Sequence, residues 1–330
     1  MKHTNAILSL ALAAAIGLSL AACGNTADPA GSAPVQQTAS ATVTITALDS
    51  AKEPIQLEVP FDPQRVAVLD MAALDILDGL GLGGRVVGAA STSLEYLQGY
   101  AADGGIAKLG TIKEADLEAV MSCEPDVIFI GGRLSASYDS LRQIAPVVFL
   151  ATDAELGLVE SVRQNAATIA SIFGVESSVD ELMSGFDSRI QALAEFAAGK
   201  TAIVGMTTSG GFNVLGNDGR CSIIGRELGF ENAGVSANID TSTHGNEASF
   251  EFIVDKDPQY IFIMDRDAAI GTDGARLAPE IMENELVMKT SAYQDGNIVY
   301  LAHPAVWYTA EGGITALDVM LQDLETALLP

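Results

Sequence analysis

Asp116–Arg133 reads DLEAVMSCEPDVIFIGGR, and Ser249–Arg266 reads SFEFIVDKDPQYIFIMDR. Aligned without a gap, six of eighteen positions agree: Glu118/Glu251, Pro125/Pro258, Ile128/Ile261, Phe129/Phe262, Ile130/Ile263 and Arg133/Arg266. Each copy has a helical pattern, a turn with proline, a continuous apolar run and an arginine just past it. A continuous apolar run suits a parallel strand covered on both faces. In open α/β sheets, ligands collect outside the carboxyl ends of the strands. Two equivalent lobes would aim Arg133 and Arg266 into one cleft.

The flanking sequence has the same grammar. Strands are expected at Arg65–Leu69, Arg85–Ala89, Asp126–Ile130, Val147–Leu150, Thr201–Gly205, Gln259–Met264 and Asn297–Leu301. Helical patterns are expected at Met71–Asp78, Ala115–Ser122, Ser137–Ile144, Ile223–Leu228, Phe250–Asp255 and Gly313–Leu328. The alternation predicts an α/β fold. Between the two runs, Val179, Leu182, Met183, Phe186, Ile190, Leu193 and Ala197 fall on one helical stripe. Ser178 with Glu181 reads as a capping box and Gly199 as a stop. Ser178–Ala198 is therefore expected to be one rod about 31 Å long. The expected architecture is two lobes, residues 43–174 and 200–330, each with a mostly parallel sheet flanked by helices. They are joined by the helix at 175–199, and the ligand cleft lies between them.

The 330 residues carry 43 acidic and 17 basic side chains, a formal charge of −26. So acidic a surface repels phosphate backbones and excludes a general nucleic-acid binder. Apolar residues make up 48%, enough to fill a core of this size. Lys2 precedes an apolar run, Ala6 to Leu20, that leads into Leu20-Ala21-Ala22-Cys23-Gly24. This is a secretory signal pattern over residues 1–22. Residues 24–42 are small and polar, with prolines, and read as a flexible tether. Three cysteines cannot build a disulfide framework. Cys123 and Cys221 read as buried small residues, with a bridge between the lobes as the lesser alternative.

Gly79-Leu80-Gly81-Leu82-Gly83-Gly84 matches G-x-G-x-x-G. It follows a helical stretch and precedes a strand, the reverse of a dinucleotide fingerprint, so it reads as a helix stop. There is no G-x-S-x-G elbow, no H-E-x-x-H and no P-loop. Beyond the signal the chain has only His244 and His303, little material for a histidine-based hydrolase.

Five short motifs remain: GGR (131–133), GNDGR (216–220), STHG (242–245), MDR (264–266) and VWYTAEGG (306–313). With the repeated strand-to-arginine unit and the central helix, they resemble the helix-linked substrate-binding lipoproteins of bacterial ABC importers. The likeness runs from about Val43 to the C-terminus and is dense over Thr243–Gly313. Within that class it is to the ferric-siderophore binders of the catecholate and petrobactin type. Leu-Ala-Ala-Cys resembles a lipobox, which would make Cys23 the lipidated first residue of the mature chain.

The resemblance implies roles residue by residue. Arg133, Arg220 and Arg266 would face an anionic ligand; a ferric tris-catecholate carries about −3, and arginine presents always-charged forks to such oxygens. The family places an aromatic and a glycine after the second of these, where this chain has Cys221-Ser222. His244 and Tyr308 match positions that bind iron directly when a siderophore supplies four oxygens, and Trp307 stands beside Tyr308 as a ligand-binding aromatic. His303, where the family has an acid, reads as a loop residue. Glu118 and Glu251 would dock on the permease. The implied protein is membrane-anchored by lipid on the extracytoplasmic face, monomeric and not an enzyme. It has no intrinsic cofactor, carries Fe(III) only as the siderophore complex, and has an ABC permease with its ATPase as partners. Haem or a cobalamin is the alternative cargo; a carboxylate enzyme and an adhesive lipoprotein are the alternatives of other classes.

Overall fold

The computed structural model describes residues 41–235 and 244–329. The signal pattern, Cys23 and the tether to residue 40 lie outside the described residues, as do positions 242–243 of the STHG motif. No described helix is long and apolar enough to cross a membrane.

A hairpin opens the described chain, β1 (Thr42–Leu48) paired antiparallel with β2 (Pro54–Pro60). The first sheet holds β3 (Val66–Val68), β4 (Val86–Ala89), β5 (Ala107–Lys108), β6 (Val127–Ile130) and β7 (Val147–Phe149). Its order is β5-β4-β3-β6-β7, and every pairing is parallel. The second sheet holds β8 (Thr201–Thr208), β9 (Gly211–Val214), β10 (Glu231–Asn232), β11 (Asn246–Glu247), β12 (Tyr260–Asp265) and β13 (Ile298–Tyr300). Its order is β11-β9-β8-β12-β13, with β10 beside the start of β8. The seven expected strands all form. Their continuous apolar runs are buried on both faces, as β3, β6 and β7 show at every residue.

The repeat is structural as well as sequential. Asp116 and Ser249 both cap the helices that follow, accepting the backbone N–H of Ala119 at 3.0 Å and of Phe252 at 3.3 Å. Glu124 and Asp257, each just before the shared proline, both adopt left-handed backbone (φ 42° and 38°). Asp126 accepts the N–H groups of Gln64 and Arg65 ahead of β3; its counterpart Gln259 accepts that of Thr201 at the start of β8. Strands β6 and β12 each lie inside their sheet, between two parallel neighbours.

The central rod is not continuous. Helices run Ser177–Met183 and Phe186–Ala197, separated at Ser184-Gly185. The Ser184 hydroxyl and N–H both turn back on Glu181 O, and Ser188 bonds Gly185 O. Glycine and back-bonding serines weaken a helix at that spot. Glu176 occupies the N-cap without a side-chain bond, so the expected Ser178–Glu181 capping box does not form. The stop is as expected: Gly199 takes φ +70°. A 16-residue helix, Leu158–Phe173, precedes this segment, and the sequence reading omitted both it and the hairpin. Ser137–Ile144 begins as a 3-10 turn and is helical only over Tyr138–Leu141. The glycine-rich 79–84 stretch ends a helix, with Gly81 at φ +73°. Cys123 and Cys221 are free and buried, so no bridge joins the lobes.

Two carboxylates tie the halves of the chain. The C-terminal helix Ile314–Leu328, which the sequence reading placed in the second lobe, packs on helix Met71–Gly79 of the first. Gly313 offers its N-terminus no side chain, and Asp75 caps it instead, bonding Thr315 N at 2.8 Å and Ala316 N at 2.9 Å. Reciprocally, Gly157 begins helix Leu158–Phe173, and Glu227 of the second lobe bonds Leu158 N at 2.6 Å. A Cβ on either glycine would overlap the capping carboxylate. Arg226 adds bonds to the carbonyls of Ala154 and Glu155.

Candidate functional site

The cleft between the lobes has a volume of about 740 Å³. Six of the chain's 17 lysines and arginines line it: Lys52, Lys113, Arg133, Arg220, Arg226 and Arg266. In a protein of charge −26 that concentration makes the cleft a cationic focus on an acidic body. His244, Tyr308, Asn217 and Thr309 also line it.

Tyr308 is its centre. It sits on the short helix Pro304–Thr309, started by Pro304, and its side chain is buried. Arg133 reaches it from the 3-10 turn after β6, Arg266 from the residue after β12, and Arg220 from the segment after β9. Their guanidinium carbons lie 5.4, 5.7 and 4.3 Å from the Tyr308 ring centroid. Arg266 Nε donates to the phenol oxygen at 3.2 Å. Arg220 Nη1 donates to the carbonyls of Trp307 (3.0 Å) and Tyr308 (2.7 Å), and Arg133 Nη2 to that of Tyr308 (3.2 Å). Two lobes and three elements thus converge on one aromatic ring.

The electrostatics follow. Burial pushes the Tyr308 phenol up, but the hydrogen bond from Arg266 and the charges of Arg266, Arg220 and Arg133 outweigh it and leave the phenol below its ordinary range. Burial, then the charges of Arg220, Arg266, Arg133 and Lys113, push the His244 imidazole down. A phenol drawn toward phenolate and an imidazole held neutral are the forms in which these side chains donate to a hard metal ion.

Each arginine also faces a carboxylate. Arg266 pairs with Asp267 at 3.2 Å, and Arg220 lies 4.0 Å from Glu311. Arg133 lies near Asp70, whose carboxyl burial raises while the Ala73 N–H and Arg133 oppose the rise. The sequence reading missed these acids and the rim cations Lys52 and Lys113. Asp70 was visible as the first polar residue after a strand, and Glu311 inside the VWYTAEGG motif.

Of the sequence-predicted residues, Arg133, Arg220, Arg266, His244 and Tyr308 come together in the cleft. Trp307 does not: its side chain is wholly buried and its indole N–H bonds Asp323 at 2.9 Å. Successive residues of a helix point about 100° apart, so Tyr308 facing the cleft turns Trp307 into the core. His303 is no plain loop residue; it precedes helix Pro304–Thr309 and its Nδ1 meets Asp323 at 2.7 Å. Glu118 and Glu251 lie outside the cleft, each exposed in the first turn of its repeat helix. Among the described residues no group of three or more His, Cys, Asp or Glu is placed to hold a metal ion.

The periplasmic binding protein family model matches residues 66–305. The chain is 32% identical to the petrobactin-binding protein YclQ of Bacillus subtilis, over 98% of both chains. The crystal structure of YclQ superposes with a TM-score of 0.79, covering 87% of this chain and 99% of that one. The periplasmic catecholate-siderophore-binding protein VctP of Vibrio cholerae is 29% identical with a TM-score of 0.77, over 86% of this chain and 100% of that one. The siderophore-binding protein BauB, solved with a complex of two acinetobactin molecules and ferric iron, is 26% identical with a TM-score of 0.75, over 87% and 99%.

Proposed function

The chain belongs to the periplasmic binding protein family, and we propose that within it this protein captures an anionic ferric siderophore of catecholate type and delivers it to an ABC importer. The family is one of binding proteins, and we assign this member no catalytic step. The observation that carries the reading is the convergence of Arg133, Arg220 and Arg266 on Tyr308 from both lobes. Three permanently charged guanidinium groups match the roughly threefold negative charge of a ferric tris-catecholate. Haem or a cobalamin would be favoured by fewer than two cleft arginines, and an enzyme by paired carboxylates in the cleft with the arginines placed elsewhere; four arginines line the cleft.

Where the siderophore supplies only four oxygens, His244 and Tyr308 complete the iron's six positions and exclude water. The lowered phenol and the neutral imidazole support that role. Glu118 and Glu251, equivalent and exposed on the two lobes, would meet arginines of the permease, and Cys23 would hold the protein to the membrane by lipid through the 23–42 tether. The protein acts as a monomer.

The decisive experiment titrates wild type and Tyr308→Phe with a ferric bis-catecholate, a hexadentate ferric tris-catecholate and a neutral ferric hydroxamate at one salt concentration. Both catecholates bind wild type more tightly than the hydroxamate. Tyr308→Phe weakens only the bis-catecholate and shifts its charge-transfer band. Equal affinities for tris-catecholate and hydroxamate would overturn the capture reading, and an unchanged band would remove Tyr308 from the iron.

A further inference from the structure

Of the acids that face the cleft arginines, Glu311 stands in the least stable compromise. It lies three residues beyond Tyr308, at the turn where the chain passes through Gly312 and Gly313 to the C-terminal helix. One carboxylate oxygen accepts the Cys221 N–H at 2.7 Å. The other lies 4.0 Å from Arg220 Nη1, beyond hydrogen-bond reach. Arg220 is itself buried and spends its Nη1 on the carbonyls of Trp307 and Tyr308. Both Glu311 and Arg220 line the cleft. An anion seated on Arg220 would therefore share a buried, low-dielectric corner with the Glu311 carboxylate, and two negative charges would compete for one guanidinium.

The other charged groups around Glu311 do not relieve that competition. From the segment after β9 it faces Arg220 and the Cys221 thiol, and from the end of the following helix Glu227, whose like charge opposes ionisation. The Cys221 thiol is held well up by burial and by Glu311, so it stays neutral. Glu227 is committed to the N–H groups of Leu158 and Val159, and Arg226 to Ala154, Glu155 and Asp218. Asp75, on helix Met71–Gly79, is committed to the start of the C-terminal helix. Arg220 is the nearest cation, and it is the group the ligand also needs.

We propose that Glu311 is the counter-charge an anionic ligand displaces from Arg220, and that it yields by taking up a proton from solvent, so that capture is coupled to protonation of one protein carboxyl. This rests on the ferric-siderophore reading for the identity of the anion, not for the placement of the groups. Burial, opposed by Arg220 and the Cys221 N–H and reinforced by Glu227, holds the Glu311 carboxyl at about 7 in the empty cleft. A bound anion raises it further. The sign is then fixed by linkage: below about pH 7 Glu311 is already protonated and affinity is flat, whereas above it each binding event takes up a proton and affinity falls as pH rises, by at most about tenfold per unit.

The test compares wild type with Glu311→Gln, which keeps an oxygen for the Cys221 N–H and removes the charge. A hexadentate ferric tris-catecholate is titrated calorimetrically between pH 6 and 8, and at pH 7.5 in two buffers of different ionisation enthalpy. In wild type the affinity falls above about pH 7 and the buffer comparison shows net proton uptake; in Glu311→Gln both effects vanish, and at pH 8 the variant binds more tightly. The same pH slope and proton count in both proteins would overturn the proposal. If wild type does not bind the tris-catecholate at all, the siderophore reading falls, and the empty proteins decide the rest. A carboxyl raised in the folded state contributes stability at low pH that is lost as pH rises through about 7. The melting temperature of wild type relative to Glu311→Gln then drops between pH 5 and 7.5. A constant difference would overturn the Glu311 assignment independently of any ligand.

Discussion

The two copies of the repeat solve the same backbone problem and finish differently. Both cap the helix with a short polar side chain, both force a non-glycine residue into left-handed backbone before a proline, and both follow a buried strand with an arginine, three residues past the first and one past the second. In the first copy Gly131-Gly132 precede Arg133, and the arginine is exposed with one hydrogen bond, to Tyr308 O. In the second, Met264-Asp265 precede Arg266. Asp265 caps the next turn through Ala268 N and also bonds Ala278 N, and Arg266 is braced by Tyr308, Thr208 and Asp267. The first lobe therefore presents a lightly braced charge and the second a firmly braced one. Geometry shared across a repeat sets where a charge points; the residues just before it set how much freedom the charge must lose on binding.

The largest effect tests that difference directly. Each charge-assisted contact from an arginine to an oxyanion contributes about 1.5–3 kcal/mol, so either Arg→Ala change weakens a ferric tris-catecholate roughly ten- to a hundredfold. Arg266→Ala falls at the upper end because the lost contact was pre-placed and its removal also frees the Tyr308 phenol. Arg133→Ala falls at the lower end and loses most of its effect at high salt, since exposed charges are screened. Fluorescence titrations of the two variants at low and high salt measure both. Equal losses with equal salt dependence would mean that bracing is irrelevant and position alone matters.

What the sequence revealed divides along the same line. The strands, the repeat, Arg133 and Arg266 were legible because they depend on local pattern: an apolar run, a proline, a charge at a fixed offset; Arg220 was legible only through the GNDGR motif of the resemblance. Tyr308 and His244 were legible only through motifs carried by resemblance. Trp307 was misplaced because its neighbour's orientation decides its own, and no one-dimensional pattern says which of two adjacent aromatics faces the cleft. Helix Leu158–Phe173 was overlooked because its start signal lies elsewhere in the chain: Gly157 cannot cap it, and Glu227 does so from 69 residues away. Helix Ile314–Leu328 was seen but assigned to the wrong neighbour for the same reason, since Asp75 caps it across the fold. Ser178 and Glu181, conversely, spell a capping box that the structure does not use. Caps supplied by distant residues, and counter-charges such as Asp70 and Glu311, exist only once the chain has folded.

A smaller effect sharpens the glycine side of the comparison. Gly131 has ordinary extended backbone, so its φ does not demand glycine; a Cβ there would overlap the Asp70 carboxylate that caps helix Met71–Gly79. Gly131→Ala must push Asp70 off that cap and costs about 2 kcal/mol of stability. It also moves Arg133, so ligand affinity falls with stability. Gly132→Ala, a control with its nearest neighbour at 4.0 Å, leaves both unchanged. Urea unfolding and ligand titration of the pair decide whether the first glycine is there to let Asp70 in. A stable Gly131→Ala with unchanged affinity would show that the strand end can shift without cost.

The smallest effect asks whether the copies are equivalent at their beginnings. Removing either cap, Asp116→Ala or Ser249→Ala, takes the side-chain acceptor from one N–H of the helix's first turn and costs about 1 kcal/mol. The two are not expected to be identical. Asp116 bonds at 3.0 Å and adds a negative charge at the positive end of its helix; Ser249 bonds at 3.3 Å and adds none. That charge contributes about 0.5 kcal/mol more. Asp116→Asn keeps the hydrogen bond and removes the charge, so it should bring the first copy down to the level of the second. Urea unfolding at low and high salt measures this: the gap between Asp116→Ala and Ser249→Ala closes as salt screens the charge, and Asp116→Asn is insensitive throughout. Neither cap touches the cleft, so both Ala variants should bind ligand as wild type does. If Ser249→Ala alone weakened binding, the helix before β12 would be steering Arg266, and the fixed character of the second arginine would begin at the helix cap instead of at Asp265.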